Sequence, residues 1–291
     1  MAISKKHHYL PQFYLKGFTD KKKEFYIYDK KNDSIRKSTP LKSFFENNRN
    51  SAKIGDEKSV LLEDIYAHFD DITAPVLAKL RSQTVDTYDL SPEILGRIRM
   101  FICQLFWRVP ENDIILSEKI NELSFSQTGF DIINKKTGKS IADENLQARL
   151  KSEEIFRKMY HIFLPFLSFK SEYKKNDYQN WKTYFRGDKF QLVGDNPIIV
   201  RDFKNFGSLN EELLFPISND KILVHTQQNK PTNLPPLFNL MINLLIVQQS
   251  NQFVCCSDEE YLTNLIKKIY VHSKDFDFKQ NMIETVFDFF K

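Results

Sequence analysis

The stretch Lys5-Lys6-His7-His8-Tyr9-Leu10-Pro11-Gln12-Phe13-Tyr14-Leu15-Lys16-Gly17-Phe18 carries two adjacent histidines, an amide and a run of aromatic rings. Histidine titrates near neutral pH without help from its surroundings, so His7 and His8 can supply an acid and a base. A neutral ring nitrogen can equally bind a metal ion. The competing reading is structural: such a doublet lies on the surface, or hydrogen bonds hold it in the core. Both readings stand at this stage. Pro11 bars an undistorted helix through the motif, so His8 and Gln12 are not expected to share a helical face.

Other residues offer partners for that chemistry. Glu63 and Asp70 are seven apart on a predicted helix and so lie on nearly one side of it, with Asp71 adjoining. Carboxylates in this arrangement can hold a divalent ion such as magnesium, or simply form a solvated helix face. Arg108 ends a very apolar segment, where a guanidinium must pair with an internal carboxylate or an anionic ligand. Gly194-Asp195-Asn196-Pro197 reads as a turn in which Asp and Asn bond their own backbone; alternatively, Asp195 ends a strand and presents its carboxylate to a pocket. Asn239 and Asn243 are four apart on an apolar helix and need polar partners. His161, between Tyr160 and Phe163, reads as a core histidine.

The elements that must position these residues follow from periodicity. Residues 24–29 and 34–39 form a basic hairpin around the turn at Lys30 to Asp33, and 44–53 read as a loop. Apolar positions recur at helical spacing over 56–81, with Pro75 expected to kink or split the helix. Ser91-Pro92-Glu93 starts a helix that Pro110 ends. Further helices are predicted over 113–123 and 143–164, the latter broken by Pro165. Five short β-prone runs between 181 and 225 suggest a small antiparallel sheet. A buried helix over 237–249 and a strand over 253–256 follow, and Ser257 to Glu260 opens another helix. Residues 275–291 resist assignment. The predicted fold is α+β, a mainly helical middle with a small antiparallel sheet from an N-terminal hairpin and C-terminal strands. We read residues 1–291 as one domain, with possible subdivision at 1–55, 56–170 and 171–291.

Composition narrows the function classes. Hydrophobic residues make up 41% and charged ones 27%, as in an ordinary soluble protein. The 26 Phe and 12 Tyr against 8 Gly predict a ring-filled interior and few phosphate-cradling glycine loops. Neither GxxxxGK[ST] nor GxGxxG occurs, which disfavours nucleotide folds built on those fingerprints. The start lacks the apolar stretch of a secretory signal. The longest apolar run, near 240–247, is too short for the roughly 20 residues that span a bilayer. Cys103, Cys255 and Cys256 fit neither a disulfide framework nor a four-cysteine zinc site, so reduced thiols in a cytoplasmic protein are expected. Residues 1–53 hold 13 Lys/Arg against 5 Asp/Glu, a balance of +8, while the whole chain carries +4. A positive end that also bears the histidines favours a nucleic acid or nucleotide partner. The same lysines also serve as solvated turns.

Several of these pieces together resemble a bacterial and fungal family catalogued as DUF 4238. The likeness rests on His7 to Phe18, supported by the Glu63/Asp71 helix with Ala74-Pro75, by Gln104 to Pro110 around Arg108, by Gly194-Asp195-Asn196-Pro197, and by Asn239. The resemblance implies no settled reaction, but it does imply association with phage-defence loci. On that basis the expected function is a defence effector, a nuclease or phosphodiesterase-type hydrolase acting on nucleic acid or nucleotides. His7 and His8 would be acid and base, or one of them a metal ligand. Asp195, with Glu63 or Asp71, would hold a magnesium-like ion or orient an imidazole, and Arg108 would neutralise the transition state. Gln12, Asn196 and Asn239 would contact substrate. The alternative is a non-catalytic sensor that binds nucleic acid or nucleotide through the basic N-terminal surface.

Overall fold

The computed structural model describes residues 5–54, 57–84, 86, 90–123, 127, 131, 133–134, 136–140, 148–149, 152–170, 177–186, 190–202, 212–270 and 276–291. Pro11 divides the histidine motif. On one side is the strand β1 (Lys6–His8); on the other is the single-turn helix α1 (Gln12–Leu15), which Pro11 precedes in extended conformation. The predicted hairpin forms as β2 (Phe25–Asp29) and β3 (Ser34–Ser38). Three short strands follow, β4 (Phe45–Asn47), β5 (Ala52–Ile54) and β6 (Glu57–Ser59), where a loop and a helix start are predicted. The helical middle consists of α2 (Leu61–Ser82), α3 (Pro92–Arg108), α4 (Asp113–Glu122) and α5 (Glu154–Lys170). Then come β7 (Trp181–Phe185), β8 (Val193–Gly194), β9 (Ile199–Val200), β10 (Leu213–Ser218) and β11 (Lys221–His225). The chain ends with α6 (Pro236–Gln249), β12 (Phe253–Cys256), α7 (Glu259–Asn264) and α8 (Phe276–Asp288).

The fold is α+β, with every strand pair antiparallel. One sheet runs β3-β2-β12-β8 and the other β7-β11-β10-β9, while β1 pairs with β4 and β5 with β6. The five β-prone runs of the second half therefore split between two sheets. β12 lies between the N-terminal hairpin and β8, with Val254 opposite Tyr28 on one side and Gly194 on the other. Rings fill the interior as the composition predicts: Tyr14, fully buried, stacks on Phe215 at 5.3 Å and donates its hydroxyl proton to the Pro216 carbonyl at 2.8 Å.

Neither proline expected to interrupt a helix ends it. α2 continues through Pro75 and α5 through Pro165. A proline in a helix loses one backbone hydrogen bond and crowds the preceding turn, so packing must offset that cost. In α2, Val76, Leu77 and Leu80 are buried just beyond Pro75. α5 is pinned to α3 on both sides of Pro165: His161 Nδ1 lies 2.7 Å from the Trp107 carbonyl, and the Trp107 indole donates to Ser168 Oγ at 3.0 Å. Part of the helix predicted over 143–164 falls outside the described residues. The unassigned C-terminal stretch forms α8, whose Val286 and Phe287 are fully buried.

Arg81, near the end of α2, locks the motif helix into this frame. Its guanidinium donates to the carbonyls of Phe13 (2.8 Å), Tyr14 (2.7 Å) and Ile217 (2.6 Å). Gly17 is required for the approach, since a Cβ there would sit 2.5 Å from the guanidinium carbon. Unpaired buried carbonyls cost about 1–3 kcal/mol each. Arg81→Met is therefore expected to destabilise the fold by about 3 kcal/mol or more in urea unfolding, with Gly17→Ala also destabilising and the exposed Lys79→Met near neutral.

Candidate functional site

β1 places the two histidines on opposite faces, and their surroundings differ accordingly. His7 is fully buried; its Nδ1 accepts the Asn50 backbone N–H at 2.8 Å and lies 3.9 Å from Glu63 Oε2. The Asn50 side chain donates to the same Glu63 oxygen at 2.6 Å, so α2, the loop after β4 and β1 meet at this point. The His8 ring is partly buried and tilts against Phe45 at 5.6 Å. Burial, together with the Arg108 charge, lowers its pKa; the backbone at Leu41 and Pro40 pulls the other way. The His8 carbonyl accepts two bonds from Arg108, from Nε at 3.0 Å and Nη2 at 2.7 Å.

Arg108 finds the partner that its apolar setting demands. Nη1 binds both oxygens of Asp70, at 3.0 and 3.2 Å, and the guanidinium lies 4.4 Å from the centre of the Tyr66 ring. Burial raises the Asp70 pKa and the Arg108 charge opposes the rise. The inward acid one turn-pair along from Glu63 is thus Asp70, while Asp71 is exposed. Among the described residues no group of three or more His, Cys, Asp or Glu side chains is placed to hold a metal ion. Arg49 completes the cluster, donating to Glu46, to the Arg108 carbonyl and, through both terminal nitrogens, to Asp113.

The remaining predicted residues lie elsewhere. Asp195 accepts three backbone N–H bonds, from Asn251 (2.8 Å), Gln252 (2.7 Å) and Phe253 (2.7 Å), and so fixes the loop that enters β12. Burial raises its pKa while those amides oppose the rise. Asp195 also borders a recess of about 50 Å³ shared with Tyr9, Glu46 and Glu111, so the first motif, the turn after α3 and the Gly194–Pro197 turn do converge. Asn196 lines a neighbouring cavity of about 240 Å³, and its carbonyl accepts from Gln249 at 2.5 Å. Gln12 opens α1, partly buried, with no side-chain hydrogen bond among the described residues. Asn239 is buried on α6, and Asn243 joins a polar network as expected: its oxygen accepts from Gln191 and the Leu192 amide, and its nitrogen donates to Phe190 and Tyr261.

A second cleft escaped the sequence reading. The ring of His161, expected in the core, lines a cavity of about 400 Å³ with Arg157, Lys158, Ser117 and Ser152, closed by Asp113 and Glu154. Its Nδ1 faces the Trp107 carbonyl, so in the neutral ring Nδ1 carries the proton and Nε2 the lone pair. Burial pushes the His161 pKa down to about 4, with Arg49 and Lys158 adding to the fall and the Trp107 carbonyl and Asp113 resisting it. A cavity of about 350 Å³ adjoins through Glu154, lined by Lys53, Lys58, Asn48 and Ser51. Lys58 is held by Asn48 and Lys158 by Glu154, whereas exposed Lys53 and Arg157 make no ion pair among the described residues. Arg157 and His161 are four apart and so share a helix face, which is the signal the sequence did contain.

The His161 shift has a definite sign. A histidine with a folded pKa near 4 and an unfolded one near 6.5 takes up a proton preferentially when unfolded. Stability from this group is intact above about pH 6.5 and is lost as pH falls towards 4. Asp70 and Asp195, with raised values, act in the opposite direction. Denaturant unfolding of wild type and His161→Gln across pH 4–7 should therefore show the difference between the two narrowing or reversing towards acid. A constant difference would refute the assignment.

Compared with known proteins, the chain matches no curated protein sequence and no solved structure. One family model, described as a protein of unknown function, matches residues 6–260 of the 291, from the histidine motif through the start of α7. That span includes β1, the Arg108 cluster, the Asp195 turn and the His161 cleft. The chain belongs to the DUF4238 family.

Proposed function

We propose that this chain is a hydrolase of phosphodiester or nucleotide bonds, serving as an effector in phage defence, and that its working groups lie in the His161 cleft. The observation that carries the reading is a neutral imidazole with a fixed tautomer in a cavity flanked by Arg157 and Lys158. A phosphate entering the cleft meets those cations first. Its negative charge also raises the His161 pKa from about 4 towards neutrality, because a nearby anion favours the imidazolium. Nε2 can then take a proton from an attacking water and return it to the leaving oxygen. Arg157 offsets charge as it develops on the phosphoryl oxygens, and Ser117 and Ser152 offer hydroxyl contacts. The adjoining Lys53 and Lys58 extend the positive surface for a longer ligand.

In this reading Arg108, which holds the His8 carbonyl, braces the cleft: Arg49 bonds both the Arg108 carbonyl and Asp113, and Asp113 borders the cavity. One observation favours a second reading, binding without cleavage. The groups expected to do chemistry, Arg108 and Asp195, are committed to internal bonds.

The two readings separate in one experiment. Purified protein is incubated with single-stranded RNA, DNA and nucleotides, with and without magnesium, and binding and product are followed in parallel. Hydrolysis predicts turnover in wild type, a fall of about 100-fold or more in His161→Ala, and about tenfold weaker binding in Arg157→Ala, with melting temperatures confirming folded protein. Binding that survives His161→Ala, falls steeply with salt and yields no product supports the sensor. Neither binding nor turnover on any of these ligands rejects both. In bacteria challenged with phage, wild type should protect and folded His161→Ala should not.

A further inference from the structure

The cavity of about 350 Å³ that adjoins the His161 cleft has a wall chemistry of its own. β5 and β6 form a hairpin in which Lys53 stands directly opposite Lys58. Like charges so placed repel, and the two stems lie side by side as a strip of hydrocarbon that Ala52 extends. Asn48 relieves Lys58, its Oδ1 accepting from the ammonium at 2.7 Å. A lysine can only donate, so the Asn48 oxygen is committed and its NH2 group is left to donate elsewhere. The Ser51 hydroxyl, on a residue 6% exposed at the cavity wall, has no hydrogen-bond partner among the described residues. Such a buried orphan costs free energy that a ligand can recover. The cavity also holds one carboxylate: Glu154 binds Lys158 through Oε1 at 3.1 Å, and its second oxygen has no partner among the described residues. Lys158, on the wall of the His161 cleft, also donates to the Ser51 carbonyl, so Ser51, Lys158 and Glu154 form the seam between the two cavities.

Donors, one carboxylate and hydrocarbon stems together fit a nucleobase better than a second phosphate. A phosphate has no donor for Glu154 and no apolar face for the stems, whereas a base has a flat face and an edge of mixed polarity. Guanine presents O6 and N7 as acceptors, and N1–H and the 2-amino group as donors. We infer that this cavity selects guanine: Asn48 Nδ2 and Lys53 donate to O6 and N7, Glu154 accepts from N1–H and the 2-amino group, and the ring lies on Ala52 and the lysine stems. Adenine offers a donor where O6 stands and a lone pair where N1–H stands, so it sets donor against Asn48 and acceptor against Glu154. Uracil satisfies one donor and one acceptor and lacks the rest. The inference rests on the phosphate-directed reading of the neighbouring cleft and names its substrate class, a guanosine phosphate, either free or within a strand.

Equilibrium titration of the full chain with GMP, IMP, AMP and UMP, and with the RNA tetramers UUGU and UUAU, tests it. GMP should bind about tenfold or more tighter than AMP, the discrimination expected of one good bidentate pair. IMP, which lacks only the 2-amino group, should fall between them. Folded Asn48→Ala and Glu154→Gln should each bring the GMP-to-AMP ratio to about one, whereas Arg157→Ala should weaken both nucleotides and leave the ratio unchanged. A merely structural role for Asn48 or Glu154 would lower both affinities together, so the ratio is the readout. A preference for UUGU over UUAU larger than that for GMP over AMP assigns the site to a strand, and a smaller one to the free nucleotide. Equal, Arg157-dependent binding of GMP, AMP and UMP overturns the guanine site and leaves the reading of the cleft standing. A guanine preference that survives in both folded variants also overturns it. Binding of no nucleotide and no tetramer rejects both.

Discussion

The bond from Arg108 to the His8 carbonyl is the contact on which the arrangement of the motif rests. A strand of three residues has too little ladder to fix itself, and β1 is such a strand. Arg108 supplies what the ladder lacks, clamping the His8 carbonyl with two donors while Asp70 on α2 neutralises its charge. Three segments far apart in sequence are thereby held in one register. The energetic sense is conditional: a buried ion pair adds little over an apolar substitute, yet removing one partner strands the other charge, at a cost of about 3–5 kcal/mol. The pair acts through specificity of placement. The face of β1 that buries His7 and the face that half-buries His8 are both set by it.

A second arginine braces the segments around this clamp. Arg49 bonds Glu46 at the edge of the acidic recess and Asp113 at the edge of the His161 cleft. One guanidinium therefore links the recess bordered by Glu46, Glu111 and Asp195 to the cavity lined by Arg157, Lys158, Asp113 and Glu154. The N-terminal excess of positive charge is spent partly on this internal bracing. Lys30, for instance, donates to the carbonyls of Val247 and Ser250.

Much of this was legible beforehand where local chemistry decides the outcome. Ser91 accepts the Ile94 N–H and starts α3, and Asp258 accepts the Tyr261 N–H and starts α7. Arg108 pairs because its surroundings compel it to. What was not legible depends on phase or on distant segments. Asp70 and Asp71 differ by about 100° of helix rotation, and that rotation decides which enters the Arg108 cluster and which faces solvent. His161 reads as a core residue from its aromatic neighbours. Only the placement of α4, which brings Asp113 and Ser117 opposite it, leaves a cavity beside the ring. The pairing of β1 with β4 has no periodic signature, since runs of three residues are too short to show alternation.

The position of β12 between the N-terminal hairpin and β8 bears on how the chain is made. Tyr28 waits for Val254, 254−28=226 positions later, before the inner edge of β2 is paired. At roughly 5–20 residues per second on the ribosome, that is a delay of about ten to forty-five seconds. Throughout it, an aromatic-rich strand edge emerges with no partner, and contacts of such long sequence separation are slow to form even in the released chain. The lysines that crowd the hairpin then have a second use. They keep a nascent edge charged, and so resistant to pairing with another copy, until the strand that belongs there has been synthesised.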